Sequence, residues 1–446
     1  MSRGFRVSTT YLRMPPFPLY QEPIIQTPRP EKKKKTPPPT RRQGPRPLAL
    51  HLAAPMFAQM SSKSVSLTSK NDWVPWRKNL APAVEALRKN LAGIDPEAFR
   101  KAVDTVALRQ QSDTLAGVLR YRHHAYQRTL PAPPVVWQSG AVRLFDYGTQ
   151  ATAKKNGVPV LFVPSLINRS YVLDLSERAS MIRYLAGHGV RPFLLDWGTP
   201  GEIERRFTLA DYITGPLEGA FHAAQSLAGA RVAIAGYCMG GLLALALADR
   251  QRQSVPGLAL LATPWDFHAG EDGKNQGQAA KVLFESLAPL VDGLGEMPAD
   301  ILQSLFFLLS PFQAARKFRA FASLDPNSAR ARNFMALEDW INDGTALAAP
   351  VARECFLDWY GANLPARGEW KIAGRKLRPE NFDRPAFLCI PSQDYIVPPA
   401  SARALAEALP QAETRILASG HIGMAVSAQA RDTLWRPLAE WLRNLV

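Results

Sequence analysis

The stretch that decides the fold is RVAIAGYCMGGLLALALADR, residues 231–250. Its first part is a short run of Val, Ile and Ala, which predicts a buried strand, and its last part has the composition of a buried helix. Between them lies Gly236-Tyr237-Cys238-Met239-Gly240, a G-x-nucleophile-x-G motif. Small neighbours permit the strained turn, and the helix N-terminus favours a thiolate. We predict that Cys238 is a catalytic nucleophile; the alternative is a structural cysteine between closely packed glycines.

Short apolar runs alternate with helical stretches on both sides of this motif. This alternation is typical of βα units around a mostly parallel sheet. Together with the motif, it predicts the α/β-hydrolase fold, a central sheet with flanking helices. The predicted strands cover residues 142–148, 159–165, 191–198, 231–238, 257–263, 385–394 and 413–420.

Residues 267–375 interrupt the alternation, because they contain many helix formers and no comparable strand pattern. We predict a helical lid over the carboxyl ends of the strands, where open α/β sheets place their sites. The Phe-rich segment 305–321 within it is predicted to pack in the core. Contact with a second copy or with a polymer surface is the alternative.

A nucleophile elbow requires an acid and then a histidine later in the chain. Asp394 follows the run PAFLCIPSQ, and His421 follows ETRILASG. Alone, Asp394 could be a turn or cap residue and His421 an ordinary loop histidine. Their joint position behind the correct strands predicts a Cys238-His421-Asp394 triad. The other six histidines are predicted to be surface or packing residues.

The oxyanion hole of such an enzyme combines two backbone N–H groups. One should come from Met239, which follows the nucleophile. The second should come from the loop after the strand at 159–165, at Leu166 or Ile167, and the sequence leaves both open. No cofactor is predicted, and three scattered cysteines are too few for a disulfide framework or a Cys-pair zinc site.

The chain divides by composition into three parts. Residues 1–70 carry thirteen Lys or Arg and two Glu, so this part holds most of the formal net charge of +16. With eleven prolines in the first 50 residues, it is predicted to be a disordered extension. It is either an electrostatic arm or a solvated tail. Residues 71–130 form a predicted helical unit, and residues 131–446 the catalytic domain.

Charge and hydropathy exclude several other classes of protein. Outside the extension the chain is only mildly basic, so nucleic-acid binding is not predicted. No run approaches 18 apolar residues, and the N-terminus lacks a secretory signal pattern. An Arg-rich transit peptide is opposed by the prolines. Three unpaired cysteines favour a reducing compartment, and we predict a cytoplasmic protein.

Six motifs follow one another along about residues 142–426. They are VPSLINRSYVLDL (163–175), DWGTPG (196–201), GYCMGG (236–241), EDWINDG (338–344), QDYIVPP (393–399) and SGHIGM (419–424). These motifs resemble those of the polyhydroxyalkanoate synthases, particularly the short forms without a long N-terminal domain. Cysteine in place of the usual lipase serine distinguishes that family.

The resemblance implies an acyltransferase at the surface of polyester granules. It would take (R)-3-hydroxyacyl-CoA, release CoA and extend a polyester, as a homodimer or with a second subunit. Cys238 would carry the acyl group, His421 would be the general base, and Asp394 would orient His421 or help to activate the incoming hydroxyl. The long extension and Tyr395, where many relatives carry histidine, are departures. They leave localisation and pocket shape open.

The sequence leaves two alternative functions open. An intracellular polyester depolymerase or an acyl-CoA thioesterase would use the same fold, with water resolving the acyl-cysteine. A non-catalytic granule-binding protein would retain only the fold. The complete set of Cys238, Asp394 and His421 opposes the second alternative, because a scaffold has no physical need for all three.

Overall fold

The structure is a computed structural model that describes residues 42–68, 80–150, 152–154 and 156–445. Side chains are described over the same ranges, except for residues 58, 59 and 61–68. Within these ranges, no helix combines the length and apolar character needed to cross a lipid bilayer.

An eight-stranded sheet forms the centre of the molecule. Its strands are β1 (Val135–Ser139), β2 (Val142–Asp146), β3 (Val158–Val163), β4 (Val190–Asp196), β5 (Ala233–Tyr237), β6 (Leu258–Leu261), β7 (Ala386–Pro391) and β8 (Ala412–Leu417). They lie in the order β1-β2-β4-β3-β5-β6-β7-β8. The pairs β1–β2 and β2–β4 are antiparallel, and all other neighbours are parallel.

The central strands are buried on both faces, which explains their continuous apolar composition. Alternate residues of these central strands belong to two separate hydrophobic clusters. In β3, for example, Leu161 packs in one cluster while Val160 and Phe162 pack in the other. Burial therefore fixes the register of the sheet, because a shift of one residue would exchange the two faces.

Helices cover both faces of the sheet. Those of eight or more residues are α1 (Leu48–Thr68), α2 (Ala81–Asn90), α3 (Pro96–His123), α4 (Glu218–Ala228), α5 (Met239–Arg250), α6 (Gly273–Leu294), α7 (Ala299–Leu309), α8 (Gln313–Ala322), α9 (Ala329–Asn342), α10 (Pro399–Ala408) and α11 (Arg436–Arg443). Shorter α-helices are Met181–Gly187, Leu209–Tyr212, Ala349–Arg353 and Gly423–Val426, and π-helical turns are Ile213–Leu217, Glu354–Gly361 and Arg431–Trp435.

The segment between β6 and β7 is helical, as the sequence predicts for residues 267–375. It contains α6 to α9 and the short pairs Glu296–Met297 with Leu347–Ala348 and Lys371–Ile372 with Arg375–Lys376. In the Phe-rich segment, Phe307, Phe318 and Phe321 are buried as predicted. Leu308, Leu309 and Phe312 are exposed.

The structure corrects the predicted N-terminal boundary. Residues 48–68, assigned from composition to a disordered extension, form α1. The prolines and lysines that indicated disorder lie almost entirely before residue 48, and the following residues are rich in Leu, Ala and Met, which favour a helix. The predicted disorder of residues 1–41 and the start of the helical unit at 71–79 lie outside the described residues.

Candidate active site

Cys238 lies in a strained turn between β5 and α5. Its φ of 55° and ψ of −130° are rarely adopted by a residue with a side chain. Its N–H donates to the Leu261 carbonyl at 2.8 Å, which ties the turn to the adjacent strand β6. This is the geometry expected of a nucleophile elbow, in which strain is stored where the nucleophile projects.

The three glycines around Cys238 are explained by close approach of the backbone. A Cβ added at Gly236 would lie 2.4 Å from the Gly241 Cα. A Cβ at Gly240 would lie 2.2 Å from the Val163 carbonyl oxygen, and one at Gly241 would lie 1.9 Å from Thr263 Oγ1. Any larger side chain at these positions would therefore push α5 away from the sheet.

Asp394 and His421 meet because the strands that precede them are parallel neighbours. β7 and β8 pair as far as Pro391 with Leu417, so both loops leave the same edge of the sheet. His421 Nδ1 donates to Asp394 Oδ2 at 2.6 Å. The other carboxylate oxygen of Asp394 accepts the N–H groups of Ile396 and Val397 at 2.8 and 2.9 Å. Both Asp394 and His421 are buried.

Cys238 changes the pKa of the same histidine. Burial alone would lower the pKa of His421, but negative charge at Cys238 and hydrogen bonds to Asp394 and Cys238 outweigh it and raise this pKa to about 10. Tyr237 helps to fix the loop, since its hydroxyl donates to the His421 carbonyl oxygen at 3.2 Å. The structure thus brings together the three residues predicted as a triad.

The candidate oxyanion residues lie on either side of Cys238. Met239 is the first residue of α5, and Leu166 and Ile167 follow β3. The Ile167 N–H donates to Ser165 Oγ at 3.2 Å. Of the two alternatives, Ile167 contributes to the wall of the cavity that contains Cys238. The oxyanion role of Met239, Leu166 and Ile167 stays a prediction.

The loop after β3 is held firmly from two directions. Trp197 Nε1 donates to the Pro164 carbonyl at 2.9 Å, and Thr345 Oγ1 donates to the Leu166 carbonyl at 3.0 Å. The DWG and WINDG sequences therefore support this loop: Trp197 belongs to the first, and Thr345 directly follows the second. The second sequence also provides Trp340, whose Nε1 donates to the Arg169 carbonyl at 2.8 Å.

A cavity of about 490 Å³ opens beside Cys238 and His421. Its wall combines the loop after β3 with helices α7, α8 and α9, so the helical segment covers the predicted site. Tyr395, the departure noted next to the predicted acid, also lines the cavity and is 79% exposed. Apolar residues on the wall include Val172, Phe306, Phe307, Leu309, Leu337 and Ile341.

The cavity includes polar residues that sequence reasoning did not select. Lys317 and the buried Glu338 form an ion pair at 2.6 Å. Glu338 is the first residue of the EDWINDG motif, so the sequence provided an indication of its importance. No motif near Lys317 indicates that this residue lies at the site. His51, assigned to the extension, also lines the cavity. Cys355 and Cys389 are buried in the core.

The elbow and the mostly parallel sheet define an α/β hydrolase. The family model described as "alpha/beta hydrolase fold" matches residues 158–428, and a second, "Poly-beta-hydroxybutyrate polymerase (PhaC) N-terminus", matches residues 129–185. The "Poly(3-hydroxyalkanoate) polymerase subunit PhaC" of Synechocystis sp. is 31% identical over 64% of this chain and 77% of its own length. The chain therefore belongs to the poly(3-hydroxyalkanoate) polymerase family, and the predicted resemblance is confirmed.

Two further relatives carry the same name. The protein of Haloarcula marismortui is 30% identical over 69% of this chain, and that of Haloferax mediterranei is 28% identical over 69%. The matches span 66% and 63% of the lengths of those two proteins, slightly less than two thirds of each.

Proposed function

We propose that this chain is an acyltransferase that polymerises (R)-3-hydroxyacyl-CoA through an acyl-cysteine at Cys238. The observation that carries the proposal is the arrangement of Cys238 at the elbow, beside His421, whose other ring nitrogen is bonded to Asp394. The name poly(3-hydroxyalkanoate) polymerase, which the relatives carry, supports a polymerising reaction.

The first half of the reaction exchanges one thioester for another. The Cys238 sulfur attacks the carbonyl carbon of the acyl-CoA, and His421 holds the proton that the thiol gives up. The C–S bond to CoA then breaks, and the departing thiolate takes a proton from His421. Backbone N–H groups of Met239 and of Leu166 or Ile167 would stabilise the oxyanion between these steps.

The second half of the reaction decides between a polymer and a free acid. If the hydroxyl of another hydroxyacyl-CoA attacks the acyl-cysteine, an ester forms and the C–S bond to Cys238 breaks. His421 accepts the hydroxyl proton and returns it to the departing Cys238 thiolate. The lengthened acyl-CoA then acylates Cys238 again and releases CoA. Asp394 keeps His421 in the orientation needed for both transfers. Attack by water would release a hydroxy acid instead. The helices over the cavity support the synthase, because exclusion of water favours transfer to the hydroxyl.

The word "subunit" in the names of the relatives supports a second protein as partner. A homodimer is the other arrangement that we consider. We place the enzyme in the cytoplasm at the surface of the polyester that it makes, because a growing chain attached to Cys238 cannot leave the protein. No metal or cofactor enters the proposed chemistry.

Product analysis tests the proposal. The purified full chain is incubated with (R)-3-hydroxybutyryl-CoA, with and without a cell extract that supplies the partner, and polyester is separated from free 3-hydroxybutyrate. Polyester together with CoA release is the expected result. Free acid as the sole product would contradict a synthase and favour the thioesterase. Cys238→Ala should lose CoA release, while His222→Ala, an exposed residue on α4, should retain it.

A further inference from the structure

The short segment formed by residues 42–51 borders the cavity beside the inserted helices. Pro45, Arg46 and His51 line the same cavity as Cys238 and His421. The two family models match only residues 129–185 and 158–428. This segment, which we call the N-terminal strap, is therefore an addition to the part of the chain that defines the family.

Arg42 anchors the first end of the strap. Its guanidinium donates to both carboxylate oxygens of Asp339 on α9, at 2.6 and 2.8 Å. It also donates to the carbonyls of His124 and Tyr126, at 2.7 and 2.5 Å. Charge-assisted, bidentate bonds of this kind are the strong class of hydrogen bond, so the strap is fixed to α9 rather than resting on it.

Arg46 fixes the middle of the strap to two inserted helices. Its backbone N–H donates to Asn342 Oδ1 at 2.9 Å, at the end of α9. Its side chain donates to Asp300 Oδ1 on α7 at 2.8 Å. The Asp300 pair is exposed and contributes little by itself. Together with Arg42, however, it aligns the strap along the junction of α7 and α9.

His51 is the residue that the strap brings into the cavity. Its ring packs edge-on against Phe307, with ring centroids 4.9 Å apart. His51 Nε2 lies 3.0 Å from the Arg46 carbonyl oxygen, so this nitrogen must be the donor. Burial and the charge of Lys317 lower the pKa of His51 below its ordinary value of 6.5, although the hydrogen bond to Arg46 opposes this change. The ring is therefore neutral at pH 7.

The wall near the strap contains buried hydrogen-bond acceptors. In the neutral ring of His51, Nδ1 is an acceptor, and no residue in the described part of the chain donates to it. Glu338 Oε2 is a second buried acceptor without a donor among the described residues. Because neither atom is accessible to solvent, the strap packs tightly against the inserted helices on this side of the cavity.

We propose that the N-terminal strap is a specificity-determining wall, which limits the acyl group on Cys238 to short hydroxyacyl chains. The proposal rests on the proposed function for the identity of the substrate. Its physical basis is independent of turnover: a fixed backbone segment and the His51 ring form part of the wall of the cavity that contains Cys238, and so limit the space beside it.

Access to Cys238 can be measured without turnover. The full chain is alkylated with iodoacetamides that carry N-methyl or N-octyl groups, and modification of the Cys238 peptide is followed by mass spectrometry. Arg42→Ala and His51→Ala should raise the octyl rate about tenfold relative to the methyl rate. His51→Trp should lower the octyl rate further. Exposed His222→Ala is the matched control and should leave both rates unchanged.

The corresponding activity assay compares (R)-3-hydroxybutyryl-CoA with (R)-3-hydroxyoctanoyl-CoA. The strap variants should raise kcat/KM for the octanoyl substrate relative to the butyryl substrate by about tenfold. Arg42→Ala and His51→Trp are each shown to be folded by circular dichroism. An unchanged ratio of octyl to methyl alkylation rates in both variants would contradict the proposal that the strap limits the length of the acyl chain. Absence of CoA release from either substrate would defeat the proposed function alone, since alkylation would still decide the role of the strap.

Discussion

His421 Nδ1 lies 2.6 Å from Asp394 Oδ2, although the two residues are 27 positions apart in the chain. The parallel pairing of β7 with β8 brings their loops together, and two backbone N–H groups hold the second oxygen of Asp394. Because both oxygens are occupied, Asp394 presents a fixed acceptor. This acceptor places the proton of the neutral imidazole on Nδ1 and leaves Nε2 free for the thiol.

Replacement of Asp394 by Asn should therefore disable the histidine without unfolding the protein. The amide cannot stabilise the imidazolium and can favour the wrong tautomer, so the rate of CoA release should fall by roughly three to four orders of magnitude. Asp432→Asn, at an exposed carboxylate, is the control and should stay near the wild-type rate. A loss of less than about tenfold in Asp394→Asn would contradict the assigned role.

The titration of His421 gives a second prediction. Its pKa is raised to about 10 in the folded chain, against an ordinary value of 6.5. The resulting stabilisation is fully present below pH 6.5 and is lost as pH rises through about 10. Cys238→Ala removes the charge and hydrogen bond that raise the pKa, so His421 should titrate at lower pH. NMR of the labelled ring measures this directly, and identical titrations in both proteins would refute the coupling.

Much of the fold was predictable because its strands are buried on both faces and have continuous apolar composition. All seven predicted strands exist, within a few residues. The missed strand β1 is a five-residue antiparallel strand at the edge of the sheet, partly exposed, so its apolar signal is weak. The sequence did not predict helix α1, because the disorder indicated by the prolines and lysines before residue 48 was assigned to the whole of residues 1–70.

The site also contains residues that the local sequence predicts and residues that it does not. Cys238, Asp394 and His421 each follow a strand in a fixed chain order, and local sequence carries that information. His51 and Lys317 reach the cavity only through packing of the strap and of α8 against the core. No local pattern encodes such contacts, which join residues far apart in the chain.

The glycines of the elbow can be tested by stability. Gly241→Ala would place a Cβ 1.9 Å from Thr263 Oγ1, and overpacking of this kind should destabilise the fold by about 1–3 kcal/mol. Gly293 is the matched control, since it lies in a helix and a Cβ there would meet no atom of the described residues within 4 Å. Gly293→Ala should be neutral or stabilising. Equal unfolding free energies in urea for the two variants would contradict the packing argument.

The Lys317–Glu338 pair provides a test of the cavity wall. Lys317→Ala leaves a buried carboxylate without its cation and should destabilise the fold by about 3–5 kcal/mol. Addition of Glu338→Gln should recover part of this loss. Burial raises the pKa of Glu338 while Lys317 opposes the rise, so the loss should shrink as pH falls and the carboxyl becomes protonated.

Lys281, which is half-exposed and pairs with the exposed Glu285 at 3.8 Å, is the comparison for that experiment. Lys281→Ala should change the free energy of unfolding by less than about 1 kcal/mol. If Lys317→Ala also changes the free energy of unfolding by less than about 1 kcal/mol, the result would contradict a buried Lys317–Glu338 ion pair in the wall of the cavity.

The most direct test of the central claim is to identify the residue that carries the acyl group. The full chain is mixed with (R)-3-hydroxybutyryl-CoA, quenched in acid and digested, and the peptides are analysed by mass spectrometry. We expect one or more 3-hydroxybutyryl units on the peptide that contains Cys238, and none in Cys238→Ala. Undiminished CoA release by folded Cys238→Ala, or the acyl group on another residue, would contradict the account.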